Sequence, residues 1–297
     1  MNIVLETRDL RKEYGTKEAT FTVLKNINLS VGKGEFLGIM GPSGAGKTTL
    51  LNILSTIDKP TSGEVYYEGK NILNLKNKEL SLFRRNNIGF IFQDFNLLDS
   101  MTVEDNIALP LALSKVSSKE IKKRTLQISY FFGLKDQLKK YPYQLSIGQK
   151  QRVAVARALV TSPTIIFADE PTGSLDSKSS EELLRYLTKM NEEFHTTIVM
   201  VTHDAFAASY CQRIMFIKDG EIHARLDKDN SRKEFFKRII DFLGSMGGGV
   251  HELIWNIIVQ CQKKYKNLQI IPYGNDFFRY DLLQFFIHEV QPPVFGI

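Results

Sequence analysis

Glu35–Ile57 reads EFLGIMGPSGAGKTTLLNILSTI. An apolar run, EFLGIM, leads into Gly41-Pro42-Ser43-Gly44-Ala45-Gly46-Lys47-Thr48, and a helix-forming run, KTTLLNILSTI, follows. The eight central residues fit G-x-x-x-x-G-K-[ST], the loop that cradles phosphates between a strand and a helix. Glycines let the backbone wrap an anion with its N–H groups turned inward, and the helix N-terminus adds partial positive charge. In this geometry Lys47 reaches the β- and γ-phosphates, and the Thr48 hydroxyl ligates Mg²⁺. The stretch therefore predicts nucleoside triphosphate binding on an α/β sheet.

The surroundings repeat the α/β rhythm. Thr164–Ala168 and Thr197–Val201 are short apolar runs with helical patterns between them, which points to a mainly parallel sheet. The opening runs, Val4–Leu10 and Phe21–Val31, read as antiparallel, and KDGEI at Lys218–Ile222 is an Asp-Gly hairpin turn. From about Asp94 to Leu159 the pattern is helical. Ser117–Leu134 is amphipathic, with Ser117 and Glu120 spaced as a capping box. Arg232–Met246 is a second amphipathic helix, ended by Gly247-Gly248-Gly249.

A second set of polar residues sits at the ends of these elements. TIIFADE, Thr164–Glu170, ends in two carboxylates. Adjacent acids at the end of a buried strand are costly unless a cation or a reaction uses them. Asp169 is placed to hold Mg²⁺, and Glu170 to polarise an attacking water. His203 follows the next apolar run; it either reaches the γ-phosphate or the water, or caps a loop. Gln93 ends NIGFIFQ and offers an amide to both metal and water. Ser146 in LSIGQ either caps the helix KQRVAVARAL or belongs to a helix N-terminus aimed at a phosphate, including one on another subunit.

Length and composition set the outer limits. The chain has 297 residues, 43% hydrophobic and 24% charged, which suits one large domain with an appendage. Two cysteines, Cys211 and Cys261, exclude a disulfide framework and suit a reducing compartment. No run approaches the ~18 apolar residues of a membrane span, and the start has no signal-peptide core, so a cytosolic chain is expected. The net charge of +6 suits nucleic acid, phosphates or an anionic membrane alike.

Taken together the motifs resemble the ATP-binding subunit of an ABC transporter, over residues 1 to about 251. They are the phosphate loop, Gln93 as Q-loop, LSIGQ as signature, IIFADE as Walker B with its glutamate, Ser174–Asp176 as D-loop and His203 as switch. LSTIDKPTSGEV, FRRNNIGFIFQDFNLLD, DEPTGSLDSK and ASYCQRIMFIKDGEI are similar to the lipoprotein-release and macrolide-export subgroup. RKEFFKRIIDFLGSMGGGVHE is similar to the end of bacitracin-resistance-type subunits.

The resemblance implies a P-loop cassette, residues 1–230, with a mainly parallel core sheet, an antiparallel β subdomain and a helical subdomain at about 94–160. A C-terminal helix and Gly-rich end would occupy 231–251. It implies ATP and Mg²⁺, with Thr48, Gln93 and Asp169 at the metal and Glu170, His203 and Gln93 in hydrolysis. Tyr14 would stack on adenine and Thr49 would line the nucleotide site. Two copies would form a homodimer around two ATP molecules, each held by one phosphate loop and by Ser146, Gly148 and Gln149 of the other copy. Asp176 would couple the sites. The partner would be a permease with a large extracellular domain at the cytoplasmic face of the membrane, serving bacitracin-like peptide resistance, with no nucleic acid involved. A regulatory subunit with weakened hydrolysis and a soluble non-transport ATPase are the competing readings.

Two features depart from that pattern. Ile147 stands where the signature usually has glycine, which predicts slower hydrolysis if the position needs φ > 0 or lies close to a phosphate. Glu252–Ile297, aromatic-rich with Trp255, matches nothing and reads as a docking element or an unselected extension.

Overall fold

The computed structural model describes residues 2–16, 19–229 and 231–245. By contacts the chain divides after Phe242, and of the second unit only Leu243–Ser245 are described. The triple glycine and the segment 252–297 lie outside the described residues.

The elements run β1 (Ile3–Thr16), β2 (Ala19–Gly32), β3 (Phe36–Met40), α1 (Lys47–Leu54), β4 (Ser62–Tyr67), β5 (Lys70–Asn71), α2 (Asn77–Asn87) and β6 (Ile88–Ile91). There follow α3 (Val103–Leu113), α4 (Ser118–Phe131), α5 (Ile147–Leu159), β7 (Ile165–Asp169), α6 (Ser177–Phe194) and β8 (Thr197–Val201). The last are α7 (Ala205–Ala208), β9 (Arg213–Lys218), β10 (Glu221–Asp227) and α8 (Arg232–Ser245).

Two sheets result. The larger has the order β10-β9-β3-β8-β7-β6, parallel throughout except for the β9–β10 hairpin at its edge. Its central strands β3 and β8 are buried at every position, which is why FLGIM and TIVMV are apolar without alternation. The hairpin turns through Asp219 and Gly220, both at positive φ, as a two-residue type I′ turn demands. The smaller sheet, β2-β1-β4-β5, is antiparallel. β1 and β2 alternate more, and Leu5, Leu10, Leu24, Ile27 and Val31 turn into one core with α1. These are the predicted parallel core and antiparallel subdomain.

Between β6 and β7 the chain makes α3, α4 and α5, the expected helical block. Ser117 caps α4 as predicted, accepting from the Glu120 N–H. The capping box is only half made. The Glu120 carboxylate binds Arg124 one turn on, an ion pair that outcompetes the backbone N–H. Helix α8 buries Phe235 and Ile239, and its Phe242 packs 4.4 Å from the Phe216 ring of β9.

The parallel topology fixes where chemistry sits. The C-terminal ends of β3, β7 and β8 lie side by side, with Asp169 paired to Val201. The phosphate loop, the two acids and His203 leave the sheet at that one edge, the place where open α/β sheets bind ligands.

Candidate functional site

The loop from Gly41 to Gly46 follows β3 and turns into α1 through Gly46, at φ 95. A side chain there would lie 2.7 Å from the Leu24 methyl and 2.9 Å from the Val23 carbonyl, so both conformation and space require glycine. Lys47 is buried under the loop, and its ammonium donates to the Gly41 and Pro42 carbonyls at 2.8 and 2.9 Å. Burial pushes its pKa down, and the nearby Glu170 and Asp169 carboxylates oppose that. The charge is thus held at the loop by carbonyl bonds, for which an anionic phosphate would be the stronger partner.

Opposite stand the acids. The Thr48 hydroxyl donates to Asp169 Oδ1 at 3.3 Å. Burial, then the adjacent Glu170, raises the pKa of Asp169. A divalent cation relieves both effects, and Thr48 and Asp169 present hard oxygens to one point, a donor set that suits Mg²⁺. Among the described residues no group of three or more His, Cys, Asp or Glu side chains forms a metal cage. Magnesium held through one carboxylate, water and substrate phosphates needs none.

Glu170 has φ 43, a left-handed conformation unusual for a glutamate, held by its N–H donating to the Val201 carbonyl at 2.9 Å. Strain of this kind gathers at functional positions and costs about 1–3 kcal/mol. The kink turns the side chain to His203, whose Nδ1 lies 2.9 Å from Glu170 Oε1. This bond lowers the Glu170 pKa and raises that of His203. His203 is therefore paired with the second acid rather than merely capping a loop. Gln93 reaches the same turn: a side chain on Gly173 would meet its Nε2 at 3.1 Å and the Glu170 carbonyl at 3.3 Å.

Tyr14 is half exposed at the end of β1. Its hydroxyl donates to Asp58 at 2.8 Å, the Lys12 ammonium lies 4.6 Å from its ring centre, and the Thr49 hydroxyl is beside it. Lys12 also pairs with Asp58 at 2.8 Å, so the ring is held in place while it stays half exposed.

The remaining predicted residues form a second group. Ser146 caps α5 through the Gln149 N–H, and the Gln149 carboxamide accepts from the Ser146 N–H at 3.0 Å, a complete capping box. Asp176 caps α6 by accepting from the Ser179 N–H and hydroxyl at 2.9 and 2.8 Å. The two helix starts touch where a side chain on Gly148 would meet Ser179 Oγ at 3.0 Å. Among the described residues no hydrogen bond or ion pair joins this group to Lys47, Thr48, Asp169, Glu170 or His203. Ile147 removes one of the two conditions named for slower hydrolysis. It is the first helical residue of α5, is not at positive φ, and is 54% exposed, so its β-branched side chain strains nothing in this chain.

Sequence reasoning missed Lys12, Asp58, Gln151 and Arg157. Arg157, in α5, donates to the Phe95 and Asn96 carbonyls at 2.7 and 2.5 Å and so holds the segment after Gln93. Phe95 and Asn96 are both at positive φ, a bend that asparagine favours but phenylalanine does not announce.

A parallel sheet with a phosphate loop, two strand-end acids and a helical insertion bearing LSIGQ defines an ATP-binding cassette of the P-loop class. The ABC transporter family model matches residues 24–173. The bacitracin export ATP-binding protein BceA of Halalkalibacterium halodurans is 52% identical over 246 residues, 82% of this chain and 97% of that one. The macrolide export ATP-binding/permease protein MacB of Syntrophobacter fumaroxidans is 44% identical over 221 residues, 74% of this chain and 31% of that one. A dimeric post-hydrolysis structure of the ATP-binding cassette MJ0796, bound to ADP and Pi, is 43% identical with a TM-score of 0.71, covering 76% of this chain and all of that one. This chain belongs to the ABC transporter family: it is an ATP-binding subunit and an ATPase.

Proposed function

We propose that the chain powers a membrane permease with a large extracellular domain in resistance to bacitracin-like antimicrobial peptides. The similarity to BceA across almost its whole length carries the substrate class. Among the described residues no helix is long and apolar enough to cross a membrane. In this reading the permease holds the chain at the cytoplasmic face. The helical block around α3–α5 meets it. The basic surplus serves nucleotide and anionic headgroups rather than nucleic acid. The cassette proper is residues 1–230, with 231–251 as its C-terminal helix and end.

Within the site, the phosphate-loop amides and Lys47 bind the β- and γ-phosphates, Thr49 lines the nucleotide site, and Tyr14 stacks adenine on its half-exposed ring. Thr48, Asp169 and Gln93 would hold Mg²⁺, whose charge would neutralise that of the phosphates. Glu170, kept ionised by His203, accepts a proton from the attacking water, and Gln93 orients that water. Ser146, Gly148 and Gln149 complete the site of a second copy, and Asp176 links the two. The separation of the two groups within one chain supports this homodimer.

The test uses the chain with its permease in a bacitracin-sensitive bacterium. Wild type raises the inhibitory concentration of bacitracin; Glu170→Gln does not, and it slows purified ATPase about 10²-fold or more while ATP still binds. Active ATPase with no gain in resistance overturns the peptide assignment. Equal hydrolysis by both proteins overturns the role of Glu170.

A further inference from the structure

Gln151, one turn into α5, is completely buried, and its Nε2 donates to the Pro171 carbonyl at 2.7 Å. Pro171 follows Glu170 directly. The other end of the same amide, Oε1, is buried without a hydrogen-bond partner among the described residues. An apolar side chain of equal size would avoid burying that oxygen. The bond from Nε2 is therefore what the amide supplies.

The bond falls on a short turn that is otherwise held from the β8 side and from within. Glu170 donates from its N–H to Val201 of β8, and Gly173 donates to the Glu170 carbonyl at 2.9 Å. Among the described residues, Gln151 makes the one side-chain hydrogen bond from the helical block to this turn. The same helix holds the segment after Gln93 through Arg157, and its N-terminus carries Ser146 and Gly148. Helix α5 thus joins the signature, the Q-loop and the catalytic turn in one rigid piece.

We propose that Gln151 is a positioning residue: it ties the Glu170 turn to the signature helix, so that seating α5 on the partner copy's nucleotide sets the aim of Glu170 in its own site. This rests on the reading of Glu170 as the base and of α5 as the partner's lid. The route is separate from Asp176, which caps α6.

The experiment is steady-state ATPase of the full chain. Gln151→Met keeps the volume and removes the donor. We expect kcat to fall about tenfold or more, with KM for ATP and the melting temperature held, because a misaimed group that acts only in the transition state lowers kcat alone. Gln151→Glu adds a pH signature. Burial raises the new carboxyl's pKa, and only its protonated form donates to Pro171. Its rate relative to wild type therefore climbs as pH falls. An unchanged kcat in Gln151→Met overturns the inference, as does a loss that follows the melting temperature with no pH signature. If Glu170→Gln hydrolyses like wild type, the base assignment fails and the inference falls with it. If Glu170→Gln is dead while Gln151→Met is normal, the inference alone fails.

Discussion

Glu170 and His203 form the ion pair on which the chemistry turns. His203 holds Glu170 below the ordinary carboxylate range, against the effect of burial. Glu170 in return raises the His203 pKa, against the same effect. The signs set a window. The stabilisation from Glu170 is present above its ordinary pKa and is lost as pH falls through its depressed one. That from His203 is present below its ordinary pKa, ~6.5, and is lost as pH rises through its raised one. His203→Ala removes the largest lowering influence on Glu170 and leaves burial to raise it. The acid limb of the kcat–pH profile should move to higher pH, and the neutral-pH rate should fall about tenfold. A limb that stays in place would show that His203 does not govern the ionisation of Glu170. The two acids were legible in the sequence, because carboxylates after an apolar strand need a use. The left-handed turn at Glu170 was not, since glutamate carries no signal for positive φ. Nor was the His203 contact, which depends on β7 and β8 being neighbours in the sheet.

At the scale of elements, α5 shows how one sequence pattern held two readings at once. Ser146 as a cap and Ser146 as a phosphate ligand looked like alternatives. The structure makes the cap, and the cap turns the helix start toward solvent, where a second nucleotide can meet it. Any effect of Ile147 on hydrolysis then comes from bulk, not from backbone strain. Ile147→Gly should cost up to about 1 kcal/mol of stability, as glycine does in a helix. It should raise ATPase severalfold by clearing the approach to the partner's phosphate. Ile147→Ala keeps the helical backbone and should reproduce most of the gain without the loss of stability. Melting curves and ATPase rates of the two variants decide the matter: a gain with glycine alone would restore the strain reading, and no gain with either would mean the side chain lies clear of the nucleotide. The strands β3 and β8 were legible nearly to the residue because full burial writes itself as an unbroken apolar run. Arg157 and Gln151 were hidden inside the amphipathic pattern of KQRVAVARAL, where a buried polar residue looks like one on the solvent face.

For the whole molecule the issue is whether one chain makes a site. Lys47, Thr48, Asp169, Glu170 and His203 converge at one sheet edge, while Ser146, Gly148, Gln149 and Asp176 lie at the starts of α5 and α6. A two-fold dimer places one group of each chain against the other group of its partner. Lys47→Ala and Ser146→Ala chains should then each be nearly inactive alone, since every site in either homodimer carries the defect. In a mixed dimer both defects fall in the same site: the Lys47→Ala loop faces the Ser146→Ala helix. The other site has an intact loop and an intact signature. Random mixing at equal amounts makes about half the dimers mixed, each with one of two sites whole, so activity should recover to about a quarter of wild type. Strong coupling between the sites would lower that figure without abolishing the recovery. Activity in the mixture equal to the mean of the two separate proteins would show that each chain completes its own site. The mixture therefore tests the dimer without reference to any permease, peptide or membrane.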